Sequence, residues 1–276
     1  LLRVGMLNTL NTIALLFFGK KFYRSSVMSY ELSILMPAIR TERWVNLYKS
    51  IISSTTRSFE LILVSPYPLP KALAKAANIK YIKDYGNPNR CFNIALSLAE
   101  GKYCTWGADD GLYQKGVLDK ALNILDSAQD PKSIVAMATV EADRHYSEEF
   151  CYINKHPEIC SPYIPDHYRL LALGMLRTDY FIKLGGVSCE FEAHAMGHLD
   201  LSIRAQNDGA NVVFLRDICM ILSHMPNTTG DHAPMHYAQV EHDEDLYRKL
   251  YRDKDYRPQN CLDLLDWRNS ERVWTR

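Results

Sequence analysis

The chain has 276 residues, 32 basic and 32 acidic side chains and 47% hydrophobic residues, so its formal net charge is zero. That balance excludes the strongly basic surface of a general nucleic-acid or anionic-membrane binder, and 23% charged with 11% aromatic residues excludes an intrinsically disordered chain. A core of this size folds without staples, and seven cysteines with no Cys-x-x-Cys pair read as the reduced thiols of a cytosolic protein.

Residues 1–28 read as an N-terminal extension or arm. Their longest apolar run, 13–18, is well short of the about 20 residues a membrane span requires. Lys20, Lys21 and Arg24 follow that run, whereas a signal peptide carries its charge first. From Glu31 strands and helices alternate. Residues 32–36 form a short apolar strand stopped by Pro37. Trp44, Leu47, Tyr48, Ile51 and Ile52 then recur with the spacing of one helical face. A second strand over 59–64 ends in a Ser65-Pro66-Tyr67-Pro68 turn, an alanine-rich helix is expected over 69–78, and a third strand over 79–83. A helix over 89–100 presents Phe92, Ala95, Leu96 and Ala99 on one side, and a strand over 102–106 runs into the loop 107–111. A further helix carries Val117, Leu118, Ala121, Leu122 and Leu125, and a strand follows over 133–140.

The second half is less regular. Residues 146–169 hold Pro157, Pro162 and Pro165 and no period. A strand is expected over 171–177, a short helix over 178–184 ended by Gly185-Gly186, and a helix over 199–208 stopped by Gly209. Two strands, 212–215 and 218–222, and a terminal helix over 237–251 complete the reading. Strands alternating with helices imply βαβ units, right-handed crossovers and an α/β fold with a mostly parallel central sheet flanked by helices. Ligands of such sheets sit beyond the carboxyl ends of the strands, where the loops after Met36 and Trp106 lie.

Asp109 and Asp110 are adjacent carboxylates in a glycine-flanked loop after a buried strand. Taken alone, they read first as a solvated turn. They also suit a hard divalent cation, which uses one or two carboxylates together with substrate phosphates. The larger context resembles family 2 glycosyltransferases of the GT-A fold, a Rossmann-related architecture. The resemblance rests on Met36-Pro37-Ala38-Ile39-Arg40 after the first strand, Glu60-Leu61-Ile62-Leu63-Val64-Ser65, Asn93 and Ala95 on a helix, and Gly101 to Asp110. It extends to Leu184-Gly185-Gly186 and to Asp200-Leu201-Ser202-Ile203-Arg204 followed by Asp208-Gly209.

The resemblance implies an inverting hexosyltransferase that moves a sugar from a nucleotide diphosphate-sugar, UDP- or GDP-linked, to a hydroxyl of a glycan or lipid-linked acceptor in polysaccharide biosynthesis. It implies a domain over 29–235, with a donor half at 29–130 and an acceptor half at 131–235, and a C-terminal helical tail over 236–276. It places the protein in the cytoplasm, at or near the inner membrane face, with no nucleic-acid partner. Pro37, Arg40 and Ser65 match the family's nucleoside-holding positions, with Ser65 where an aspartate is usual. Asp84 and Arg90 flank a turn at a helix start, where a phosphate gains from the helix dipole and from the guanidinium. The family's Asp-x-Asp element stands here as Gly107-Ala108-Asp109. Asp109 is then assigned to the ribose or to metal-bound water, and Asp110 to Mn²⁺ or Mg²⁺, with His224 a second ligand. Asp200 is the expected general base and His198 the second candidate, because the family's base lies about six residues before the arginine matched by Arg204. The structural alternative for Asp200 is an i,i+4 pair with Arg204. Glu190 and Glu192 are further base candidates, and His194 with His198 has helical metal-ligand spacing without the Glu of a zinc hydrolase. A nucleotidyltransferase of related fold and a non-catalytic carbohydrate- or nucleotide-binding module are the alternative functions.

Overall fold

A computed structural model of the chain describes residues 30–141, 144–146, 168–223 and 229–252. The expected arm over 1–28, His224 and most of the proline-bearing stretch lie outside these residues. The chain begins its described course with β1 (Tyr30–Pro37), α1 (Trp44–Ser54), β2 (Phe59–Ser65), β3 (Ile79–Lys83), α2 (Pro88–Leu98) and β4 (Gly101–Trp106). It continues through β5 (Gly111–Tyr113), α3 (Val117–Ser127), β6 (Ile134–Glu141), β7 (Arg144–Tyr146) and β8 (Gly174–Arg177). It ends with α4 (Thr178–Lys183), α5 (His194–Asn207), β9 (Val212–Leu222), α6 (Ala233–Ala238), a π-helical turn (Gln239–Asp243) and α7 (Glu244–Arg252).

The strands form one sheet in the order β3-β2-β1-β4-β8-β6-β9-β5, with β7 added on β6. Its first part, β3 through β4, is wholly parallel. β6 pairs with β9 in parallel, while β8 runs antiparallel to both β4 and β6. Leu32, Ile34, Leu35 and Met36 of β1 are completely buried, so this strand is covered on both faces. That burial explains its continuous rather than alternating apolar run. Helix α2 packs on β1 and β2 and against α4 and α5, whereas α1 and α3 pack on each other and on β5, β6 and β9. The result is a mixed α/β architecture of GT-A-like form.

Polar groups inside the sheet are satisfied by one network. Ser33 donates to Glu60 at 2.5 Å, Glu60 also accepts the Glu100 amide at 2.5 Å, and Lys80 closes the pair at 2.7 Å. The Gly101 amide donates to the Ser33 hydroxyl at 2.8 Å. A Cβ on Gly101 would lie 2.5 Å from the Ser33 backbone nitrogen, so only glycine lets β4 enter at this register.

Several elements differ from the sequence reading: β5 and β7 are additional, and the strand expected over 171–177 is confined to Gly174–Arg177. Residues 70–78 make successive turns rather than a helix, closed by i→i+3 bonds such as Leu73 N–H to Pro70 O at 2.9 Å. Pro70 sets the first turn, and Leu73 is the one residue of the stretch that reaches the core. The two expected strands over 212–222 are one, β9, with its irregularity opposite Met137 to Thr139. Helix α5 begins five residues before the expected 199, and the helix expected over 237–251 is interrupted by the π-helical turn. Among the described residues no helix is long and apolar enough to cross a membrane.

Candidate functional site

The sheet order reverses between β1 and β4, whose crossovers leave in opposite directions. Such a switch point opens a crevice at the carboxyl ends of its two strands. The loops leaving β1 and β4 meet there through Asp109. One of its carboxylate oxygens accepts the Ile39 and Arg40 amides at 2.7 and 2.6 Å and the Trp44 indole N–H at 3.1 Å. The other accepts from the Arg40 guanidinium at 2.6 Å. Asp109 is 3% exposed. Three of these four bonds fall on one oxygen, so the carboxylate fixes the β1 loop and positions Arg40.

Asp110 has the contrasting environment. Its side chain is 6% exposed and 3.9 Å from the Arg40 guanidinium, and it accepts no hydrogen bond from another described residue. Burial pushes its pKa above the ordinary carboxylate value; Arg40 opposes this, Asp109 reinforces it and His232 opposes it. Across the guanidinium, Asp231 pairs with Arg40 Nε at 2.7 Å. Arg40 thus lies among three carboxylates, and its pKa is raised even though burial acts against it. Among the described residues no three His, Cys, Asp or Glu side chains converge as a metal cage. Asp110 alone suits a cation that draws the rest of its shell from a bound diphosphate; His224 is outside the described residues.

The other expected donor contacts are held elsewhere. Pro37 is the last residue of β1 and pairs with Val64, placing it at the crevice floor. The Ser65 hydroxyl is completely buried and accepts the Tyr67 amide at 3.0 Å, so it shapes a turn. Asp84 and Arg90 form a buried two-pronged pair at 3.0 Å, and Asp84 also accepts the Gly86 amide at 2.8 Å. That pair follows β3, two strands or about 10 Å across the sheet from β1. Its guanidinium is matched internally by a carboxylate, and the pair sets the entry of α2.

Asn89 and Asn93 of α2 hold the segment before α5. Asn89 donates to Phe191 O at 2.8 Å, and Asn93 both donates to Val187 O at 2.7 Å and accepts the Val187 amide at 2.9 Å. Gly197 lets α5 approach closely, since a Cβ there would stand 2.6 Å from the Asn89 side-chain oxygen. Asp200 is completely buried and pairs with Arg204 at 2.8 Å, while Arg204 donates to Leu184 O and Gly186 O. This contact is the structural alternative considered above. His198 is 5% exposed, its ring centroid 5.4 Å from those of Phe92 and Trp106, and its Nε2 has no partner. Burial first, and the neighbouring His194 second, lower its pKa to about 3.

His194, one turn earlier, is the accessible imidazole of this helix. Although the residue is partly open to solvent, desolvation of its ring first, then the charges of His232 and Arg40, lower its pKa to about 4, so it is neutral at pH 7. Glu190 and Glu192 are partly exposed beside it, and the Glu192 amide is tied to Asp243 at 3.0 Å. Asp231 and His232 are what sequence reasoning missed at this site, and His194 entered it only as half of a metal-spaced pair with His198. Gly230-Asp231-His232-Ala233-Pro234 carries a turn signal, but nothing in it points to Arg40.

No protein-family model matches the sequence, and no curated protein matches it. Among solved structures the fold is similar to TarS residues 1–349 from S. aureus, with a TM-score of 0.55 and 15% identity. That alignment covers 70% of this chain and 60% of the other. The complex of the same TarS fragment with UDP-GlcNAc aligns at a TM-score of 0.53 and 16% identity over 74% of this chain and 60% of that one. Its UDP complex aligns at 0.53 and 14% identity over 80% and 69%. At such identity the likeness concerns the fold.

Proposed function

We propose that the protein is a glycosyltransferase that uses a nucleotide diphosphate-sugar as donor. The observation that carries this reading is the buried Asp109, which binds the loops after β1 and β4 into one rigid crevice wall and aims Arg40 along it. A guanidinium held in that way recognises phosphate oxygens, and the crevice is where sheets of this kind bind nucleotides. The UDP-GlcNAc and UDP complexes of the similar structures support the donor class, and UDP is the first nucleotide to test. Family 2 membership, inversion, a hexose as the transferred sugar and a glycan or lipid-linked acceptor belong to the same reading.

In this mechanism Arg40 faces the diphosphate, and Asp110 would hold a divalent cation, Mn²⁺ or Mg²⁺. When bound, such a cation would supply positive charge toward the leaving diphosphate. Asp109 keeps the β1 loop in place, and Trp44 locks Asp109. The acceptor hydroxyl loses its proton to His194, which is neutral at pH 7 and stands accessible at the start of α5. Arg204 and Asp200 support the backbone at Leu184 and Gly186. Calorimetric titration of UDP and GDP, followed by hydrolysis of the corresponding sugar nucleotides with and without Mn²⁺, tests the reading. Binding of neither nucleotide would refute it, and binding without turnover would favour a carbohydrate- or nucleotide-binding module.

A further inference from the structure

Arg40 is clasped by two carboxylates of different character. Asp109 is 3% exposed and accepts from two backbone amides and an indole besides the guanidinium, so it cannot leave without orphaning three donors. Asp231 has a side chain 29% exposed and ion-pairs with Arg40 Nε at 2.7 Å, whereas its second oxygen is buried with no hydrogen bond. His232 lies 3.9 Å from that second oxygen. A partly exposed carboxylate with a buried, unpartnered oxygen gains hydration when it departs.

The segment carrying Asp231 is built to move with it. From Thr229 to Val240 only Ala238 is buried. Beyond it the chain is firmly docked: Asp243 is completely buried and accepts the Glu192 and Ala193 amides, and Tyr247 is 1% exposed. Between the loose and docked parts lies the π-helical turn Gln239–Asp243, a locally under-wound geometry common at functional positions.

We propose that Asp231 is a carboxylate place-holder for the donor's phosphate: a nucleoside diphosphate takes over the Nε side of Arg40, expels Asp231, and releases the arm 229–238 about the π-helical turn. Carboxylate and phosphate compete for the same guanidinium fork. Asp109 keeps its place on the other side of the guanidinium, so phosphate and Asp231 compete for the Nε side alone, where two anions would meet at one donor and repel. Binding and arm opening are therefore one event, and Asp231 lowers donor affinity in exchange for keeping Arg40 aimed while the site is empty. This inference rests on the donor reading above.

The test titrates UDP, GDP and inorganic pyrophosphate into the full chain as wild type, Asp231→Asn and Arg40→Met, with and without Mn²⁺, and follows amide hydrogen exchange over 229–238. Asp231→Asn is expected to bind all active probes severalfold more tightly, up to about tenfold, the range spanned by a partly exposed ion pair. Arg40→Met is expected to lose them. Exchange over 229–238 should rise when wild type is saturated and should already be high in ligand-free Asp231→Asn. Unchanged or weaker binding by Asp231→Asn, or slower exchange of the arm on saturation, overturns the proposal. If pyrophosphate exchanges with Asp231 while neither nucleotide binds, the place-holder stands and the donor reading fails. If pyrophosphate does not bind at all, the place-holder itself fails.

Discussion

Asp109 and Asp110 are neighbours in the chain with opposite energetics. Asp109 is saturated with donors, whereas Asp110 is desolvated and lacks them. A carboxyl whose folded pKa lies above its unfolded one opposes folding once pH exceeds the unfolded value, and is neutral in that respect below it. Asp110→Asn should therefore raise the melting temperature at pH 7 while removing any Mn²⁺-dependent increment in UDP affinity. A lower melting temperature would show that Asp110 is a structural ligand. His194→Gln should cut transfer about 10²- to 10⁴-fold, the usual contribution of a positioned base, with UDP affinity unchanged. Wild-type turnover in that variant would remove the imidazole from the mechanism. Asp200→Ala, by contrast, should cost about 3 kcal/mol or more in urea unfolding, because it strands a partly buried Arg204. Arg40, Asp109 and Asp110 were legible in the sequence because each sits just beyond an apolar run, where the fold class alone predicts a ligand crevice. Asp231 was not, since only tertiary folding brings it to Arg40, and the burial of Asp200 depends on how closely Gly197 lets two helices pack.

At the scale of elements, periodicity succeeded where one face meets the core and failed where local turn chemistry decided. Helix α1 follows its apolar spacing, with Trp44, Leu47 and Ile51 buried. Residues 70–78 have good helix formers but only Leu73 to bury, and tertiary packing supplies most of a short helix's stability. Strand β5 is three residues long and exists because Leu112 pairs with Ile221, a long-range fact. The entry of β4 gives a direct test. Gly101→Ala should destabilise by about 1–3 kcal/mol, as overpacking does, with an unchanged denaturant slope; a neutral effect would mean that β1 can shift. The end of α3 gives a pH test. Burial would raise the Asp126 pKa, but Lys102, Arg57 and Tyr103 donate to it and hold it at about 2. The stabilisation is complete above the unfolded value of about 4 and is lost as pH falls below it. Asp126→Asn should flatten the loss of stability over that acid interval, as measured by urea titration at several pH values.

Across the whole molecule, two apolar clusters divide the work. The larger surrounds the sheet, and the smaller gathers Tyr168, Phe191, Met196, Leu199 and Ile203 beneath Tyr247 and Leu250 of α7. Helix α5 contributes to both, through Leu201 and Ala205 on one side and Met196 and Leu199 on the other. Tyr247→Ala should therefore accelerate amide exchange across 233–252 while leaving exchange in β1 and β4 protected; global loss of protection would show that α7 is needed for the sheet itself.

The sheet order also constrains the chain during synthesis. β1 through β4 can assemble once residues 30–106 have emerged, yet the outer edge of β4 receives its neighbour only when Gly174–Arg177 has been made. β6 waits in turn for Val212–Leu222. A nascent chain that stalls between these points presents Tyr103 to Trp106, residues destined for burial, as an open strand edge able to pair with any other chain. The seam between β4 and β8 in the finished molecule is thus also an aggregation-prone moment on the ribosome, and a step at which a chaperone would have much to protect.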